Sequence, residues 1–91
     1  MTQECRTVCF SGNVQGVGFR YTAIRTARHY EVTGHVRNTP DGQVECVIEG
    51  ATDQIDAFIA DLSGQMRPYI HSQHQQTAAF TGRYSSFDVR F

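Results

Sequence analysis

The chain has 91 residues, of which 40% are hydrophobic and 19% charged, and this composition predicts a single globular domain over residues 1–91 with a modest core. Its formal net charge of -1 argues against broad nucleic-acid binding, which usually needs a basic excess. The chain has 8 arginines and no lysine, so it lacks the lysine that a P-loop or a Schiff-base enzyme requires.

The first half of the chain predicts a strand, a helix and a hairpin. Residues 5–11 alternate between apolar and polar side chains, which is typical of a strand. From Phe19 onward, apolar residues recur with the period of an amphipathic helix, which predicts a helix over roughly 19–30. Two further alternating runs lie on either side of the turn residues 38–43, which include Pro, Asp and Gly, so we expect a β-hairpin there.

The second half predicts one more helix and two strands. Apolar residues between Ile55 and Leu62 occupy positions i, i+3, i+4 and i+7, which is the clearest helical pattern in the chain. Residues 69–82 are polar, and we expect them to form an edge strand that is frayed or bulged. Residues 87–91 alternate, which predicts a short closing strand whose phenylalanine and valine side chains point to one side.

This order of elements is that of the split βαβ, or ferredoxin-like, fold. It predicts an α+β sandwich of βαββαβ order, in which an antiparallel sheet carries two helices on one face. Because the fold hosts many functions, it does not decide the function of this chain.

Cysteine spacing and hydropathy bear on the compartment. Cys5, Cys9 and Cys46 have no CxxC spacing, so we expect free thiols rather than disulfides or a zinc site. No apolar run approaches the roughly 18 residues of a membrane span, and residues 1–10 are too polar for a secretory signal. We therefore expect a cytoplasmic protein with no membrane partner, and its polar edge strand favours a monomer.

The stretch GNVQGVGFR, residues 12–20, lies between the first strand and the first helix. Backbone N–H groups at a helix start have no internal partner, and glycines before them let the backbone curl into a nest of donors that binds a tetrahedral anion. Gly16 and Gly18 would permit this bend, and Arg20 could add charge-assisted hydrogen bonds to the same anion. The N–H groups predicted to face the anion are those of Gln15, Gly16, Val17, Gly18 and Phe19.

Simpler interpretations stay open at this level. The stretch could equally be a tight strand-to-helix turn whose arginine is solvated. A dinucleotide-binding fingerprint fails, because its third glycine would fall at Tyr21 and no parallel βαβ unit follows. Asn38, which begins the hairpin turn, is favoured by its local sequence as a turn-initiating residue.

Two motifs together resemble one family. GNVQGVGFRY is similar to the acylphosphatase signature G-x-V-Q-G-V-G-F-R, and GHVRNTPDGQVE at 34–45 matches its second motif, G-x-V-x-N-x-x-D-G-x-V-E. The resemblance covers nearly the whole chain and implies the same ferredoxin-like fold. It also implies an enzyme without metal or cofactor that hydrolyses the carboxyl–phosphate bond of acyl phosphates and releases inorganic phosphate.

The resemblance also assigns roles to residues. It implies that Arg20 and Asn38 are catalytic, that the N–H groups of residues 15–19 bind the phosphate, and that Thr39 helps to orient Asn38. The chemistry suits these residues, because an acyl phosphate already has a good leaving group and needs mainly a held phosphoryl group and an aligned water. An amide such as that of Asn38 is both donor and acceptor and can hold such a water.

Two other functions are open. The first is a regulatory or ligand-binding module that uses the nest for an anion without turnover. The second is a relative of the acylphosphatase-like domain of hydrogenase-maturation carbamoyltransferases, which handles carbamoyl phosphate and typically has Pro-Phe where this chain has Tyr21 and Thr22. His71 and His74 would face opposite sides of a strand, so we expect no metal site there.

Overall fold

The computed structural model describes residues 2–91, so Met1 of the predicted domain lies outside the described residues. These residues form five strands, two α-helices and one 3-10 helix. In chain order they are β1 (Gln3–Gly12), α1 (Phe19–Ala27), β2 (Val32–Asn38), β3 (Val44–Ala51), α2 (Thr52–Gln65), the 3-10 helix (Arg67–Tyr69), β4 (Ile70–Ala79) and β5 (Phe87–Val89).

The strands form one sheet in the order β4-β1-β3-β2-β5. Neighbours among β1 to β4 are antiparallel, which confirms the predicted α+β, ferredoxin-like arrangement. The fifth strand differs from the prediction, because β5 lies parallel to β2 and makes the sheet mixed. After β4, at one edge of the sheet, the chain crosses to the opposite edge and forms β5. Because β5 runs opposite to β4, it has the same direction as its neighbour β2.

The core lies between the sheet and the two helices. The apolar side chains that alternate along the strands, and those that recur with the helical period in α1 and α2, point into this core. The fully buried ones include Val8, Phe10, Val36, Val44, Cys46, Ile48, Ala23, Ile55, Phe58 and Leu62. The ring centroids of Phe10 in β1 and Phe19 in α1 are 4.9 Å apart. This contact packs Phe10, which precedes the 12–20 stretch, against Phe19 near the end of the stretch, and so fixes where the chain leaves the sheet and enters the helix.

The helix α1 ends at Ala27, before the end that the apolar pattern predicts. Beyond it the N–H groups of Arg28, His29 and Tyr30 bond to carbonyls three residues earlier, which tightens the chain into 3-10-type turns. Tyr30 still packs edge-on against Phe58 of α2, with ring centroids 6.3 Å apart. The apolar stripe therefore continues after the helix itself has stopped.

The predicted polar edge strand is β4, whose side chains from residue 71 to 79 are all exposed. Its register with β1 shifts between Ser11 and Gly12, which is the expected bulge. After β4, the chain crosses the sheet face opposite the helices, where the buried carboxylate of Glu49 accepts hydrogen bonds from the Thr81 N–H and hydroxyl and the Gly82 N–H. Burial alone would raise the pKa of Glu49, but these bonds hold it below its usual range.

His35 lies buried on the same face of the sheet. Its ring centroid is 5.7 Å from that of Tyr84, and its Nε2 is 3.9 Å from a carboxylate oxygen of Glu45. Within residues 2–91, its Nδ1 has no hydrogen-bond partner. Burial and then the nearby Arg90 lower the pKa of His35, more than Glu45 raises it. The folded protein therefore favours the neutral imidazole.

We predict that His35→Phe makes the stability less sensitive to acid. Below about pH 6.5 the unfolded wild-type chain binds a proton at this position more readily than the folded chain, so the free energy of unfolding falls as the pH drops. Phenylalanine keeps a ring beside Tyr84 but binds no proton. Urea titrations at pH 7 and pH 5 should show a smaller fall for His35→Phe than for the wild type. The exposed His74→Phe should behave like the wild type, and equal falls in all three proteins would contradict the prediction.

Candidate active site

The glycine loop, residues 12–20, has the backbone that the sequence predicts. Gly16 and Gly18 have φ angles of 77° and 79°, in the left-handed region that favours glycine. A Cβ placed at either glycine would meet no other atom within 4 Å. The glycines are therefore required for the direction of the backbone and not for space.

The loop presents unused backbone donors at the start of α1. Gly18 is the N-cap residue and no side chain caps the helix, so the first N–H groups of α1 have no internal partner. In the part of the chain that the structure describes, the N–H groups of residues 15–19 donate no hydrogen bond. Left-handed glycines on either side of Val17 give the alternating backbone that turns successive N–H groups toward one side.

The second part of the site is the hairpin turn between β2 and β3. Asn38 is the last residue of β2 and pairs with Val44. Thr39 holds the turn closed: its N–H donates to the Gln43 carbonyl at 2.9 Å, and its hydroxyl accepts from the Gln43 N–H at 3.0 Å. The same hydroxyl donates to the carboxylate of Asp41. Thr39 thus fixes the backbone that carries Asn38, and among residues 2–91 no hydrogen bond joins the two side chains directly.

The side chain of Gln15 connects the loop to the turn. Its Nε2 donates to the carbonyl of Thr39 at 2.9 Å and to that of Gln43 at 2.8 Å. Sequence reasoning considered only the backbone N–H of Gln15 and missed this bridge. The sequence did contain a signal for it, because Gln15 has a long side chain whose amide can donate two hydrogen bonds, and the glycines around it offer few other side chains.

Arg20 and Asn38 line one groove of about 490 Å³. Of the predicted backbone donors, Gly16, Gly18 and Phe19 also line it, whereas Gln15 and Val17 do not. The remaining lining residues are Val14, Tyr21, Ile24, Arg28, Val89 and Phe91. Within the described chain, the groove lining includes two arginines and no Asp or Glu side chain, so it favours an anion.

Arg20 lies in the first turn of α1, with its guanidinium carbon 5.5 Å from the centroid of the Phe91 ring. Phe87 and Val89 are half-buried against the core, whereas Phe91, which is predicted to point to the same side, is 100% exposed. The strand β5 ends at Val89, so alternation no longer fixes the side of residue 91. Phe91 instead lines the groove beside Arg20, where a ring can attract the cation.

Other predicted features are placed as follows. Cys5, Cys9 and Cys46 are free thiols, as predicted. His71 and His74 are both exposed on β4. Among residues 2–91 no three side chains of metal-ligating type converge. No helix in this range is both long enough and apolar enough to cross a membrane.

Comparison with known proteins decides the family. Residues 6–89 match the family model described as Acylphosphatase. The chain belongs to the acylphosphatase family. It is 44% identical over 82 residues to the acylphosphatase of Methanospirillum hungatei, a match that covers 88% of this chain and 89% of that protein.

Solved acylphosphatase structures share the fold. The structure of an acylphosphatase from Coxiella burnetii aligns with a TM-score of 0.84 at 31% identity and covers 98% of this chain and 94% of that one. The crystal structure of acylphosphatase from Bacillus subtilis aligns with a TM-score of 0.87 over 97% of this chain and 99% of that one. At 22% identity, this second likeness supports the fold alone. The resemblance carried by the two sequence motifs is confirmed.

We predict that Gln15→Ala lowers acylphosphatase activity about 10- to 100-fold, because the loop and the turn lose the bridge that aligns them and small misplacements of catalytic groups cost this much. The measurement is kcat/KM for benzoyl phosphate, followed by ultraviolet absorbance. Gln43→Ala is the matched control, since the bridge uses the backbone carbonyl of residue 43 and survives the change. Wild-type activity in Gln15→Ala would show that the bridge does not position the site.

Proposed function

We propose that the chain hydrolyses the carboxyl–phosphate bond of acyl phosphates, with the glycine loop and Arg20 holding the phosphoryl group and Asn38 orienting the attacking water. The observation that carries this proposal is the single groove lined by Gly16, Gly18, Arg20 and Asn38. These groups come from two separate segments of the chain, and the Gln15 bridge joins those segments.

The phosphoryl group is proposed to bind where the loop N–H groups face the groove. Backbone N–H donors and a guanidinium match the oxygens of a phosphate, and Arg20 can contribute two parallel charge-assisted bonds. Within residues 2–91 no Asp or Glu side chain lines the groove and Arg20 forms no ion pair, so its guanidinium is available to an anion. Fixed donors of this kind stabilise the charge that spreads over the phosphoryl oxygens in the transition state.

The chemical step proposed is attack of one water on phosphorus. The new P–O bond forms as the bond between phosphorus and the acyl oxygen breaks, and the carboxylate leaves with the bonding electron pair. The Asn38 amide accepts a hydrogen bond from the water, but an amide takes up no proton near neutral pH. The proton therefore passes to a phosphoryl oxygen. Hydrolysis in ¹⁸O-labelled water should place the label in the phosphate and leave the carboxylate unlabelled.

Arg20→Ala tests the proposed phosphate clamp. We predict that it weakens binding of inorganic phosphate by roughly 2–5 kcal/mol, as expected when one partner of a charge pair is removed from a binding site. Calorimetry with phosphate and turnover of benzoyl phosphate are the two measurements. The exposed Arg67→Ala, which removes the same charge elsewhere, is the control. Wild-type phosphate affinity in Arg20→Ala would refute the clamp.

Asn38→Ala separates turnover from binding. We predict that kcat falls about 100-fold, because the water loses its alignment, while phosphate affinity and thermal stability stay close to wild type. Thr39 keeps the turn closed through its own bonds to Gln43, so the fold does not depend on the Asn38 side chain. Loss of folding in Asn38→Ala would assign this residue to the turn instead of the chemistry.

The alternative is a module that binds an anion without turnover. It would leave a folded protein that binds inorganic phosphate through Arg20 but hydrolyses neither benzoyl phosphate nor carbamoyl phosphate. Hydrolysis of carbamoyl phosphate alone would favour the carbamoyl-phosphate-handling relative. Hydrolysis of benzoyl phosphate supports the proposal over both.

A further inference from the structure

The groove continues beyond the proposed phosphoryl site along helix α1. Arg20 and Ile24 lie four residues apart on α1, and Arg28, the C-cap residue that follows the helix, keeps helical backbone angles (φ -65°, ψ -17°), so the three side chains follow one ridge. All three line the groove. Its volume of about 490 Å³ is within the range of small-molecule pockets, roughly 300–1,000 Å³, and leaves room for more than a phosphoryl group.

The two arginines lie at different distances along this ridge, with an apolar surface between them. A rise of about 1.5 Å per residue separates the backbone positions of Arg20 and Arg28 by about 12 Å along the helix axis. Ile24 lies between them, and Val89 of β5 is a further apolar residue of the lining. A ligand that fits this surface has a short carbon chain with an anion at each end.

Arg28 is available for such a ligand. In the part of the chain that the structure describes, its side chain forms no ion pair and no hydrogen bond. Asp88 and Arg28 both line a second, neighbouring depression, and no ion pair joins them among the described residues. Arg25 differs from Arg28: it packs over the Tyr21 ring, 5.5 Å from its centroid, and does not line the groove.

We propose that Arg28 is a specificity residue that recognises a second anionic group at the far end of the acyl chain. The preferred substrates are then acyl phosphates with a terminal carboxylate or phosphate, three or four carbons from the phosphorylated carboxyl. This inference rests on the proposed function, because it assigns the acyl part of the same site. Arg28 binds the substrate away from the reacting atoms, so its effect falls on KM more than on kcat.

The test compares two substrates of equal chain length. Succinyl phosphate has a terminal carboxylate, and butyryl phosphate has a terminal methyl group. We expect wild-type kcat/KM to favour succinyl phosphate about fivefold, which is the size of effect that an exposed charge pair supports. Arg28→Gln should abolish this preference through KM, and Arg28→Lys should keep most of it. In 0.5 M salt the wild-type preference should shrink, because exposed charges are screened.

Arg25→Gln is the matched control, since it removes the same charge three residues earlier in the chain but not from the groove. It should keep the wild-type preference. An unchanged preference in Arg28→Gln, or an equal loss in Arg25→Gln, would overturn the inference. A wild type that hydrolyses neither substrate would contradict the proposed function itself. The same measurements with 3-(phosphonooxy)propanoyl phosphate, which has a terminal phosphate, show whether Arg28 favours a terminal phosphate or a terminal carboxylate.

Discussion

The Gln15 bridge is the constraint on which the candidate site depends. The strands β1 and β2 run in the same direction, with β3 between them. The loop after β1 and the turn after β2 therefore lie at the same end of the strands. Strands two places apart in a sheet are separated by about 10 Å. A loop that ends one strand does not by itself contact a turn that ends the other. The two hydrogen bonds from Gln15 to the carbonyls of Thr39 and Gln43 close this distance.

The remaining features of the site act within the frame that this bridge sets. The contact between Phe10, just before the loop, and Phe19, near the end of the loop, anchors it to the core. The left-handed Gly16 and Gly18 direct the backbone between these anchors. Arg20 then follows at the start of α1, where the free N–H groups of the helix add to its charge. An arrangement of this kind is suited to a reaction whose barrier depends on positioning and charge, since the leaving group needs little help.

The sequence predicts those features that depend on local order. Alternation places Val8 and Phe10 in the core, and the helical period does the same for the residues from Ile55 to Leu62, because burial has a fixed spacing in each element. The two motifs single out Arg20 and Asn38, and the structure places both residues in one groove.

The features that sequence reasoning missed all join segments that are distant in the chain. The Gln15 side chain reaches a turn 24 to 28 residues away, and the carboxylate of Glu49 accepts bonds from residues 32 and 33 positions later. The position of Phe91 beside Arg20 depends on where β5 joins the sheet. No local pattern records such contacts, because each needs the path of the chain between the two segments.

The central claim is that the glycine loop and the hairpin turn form one phosphate site. A titration of ¹⁵N-labelled protein with inorganic phosphate, followed by amide NMR spectra, tests it most directly. The account predicts that the backbone amides of residues 15–19 and the side-chain amide of Asn38 shift together, with one dissociation constant. Shifts confined to the start of α2, with the loop and Asn38 unchanged, would contradict it.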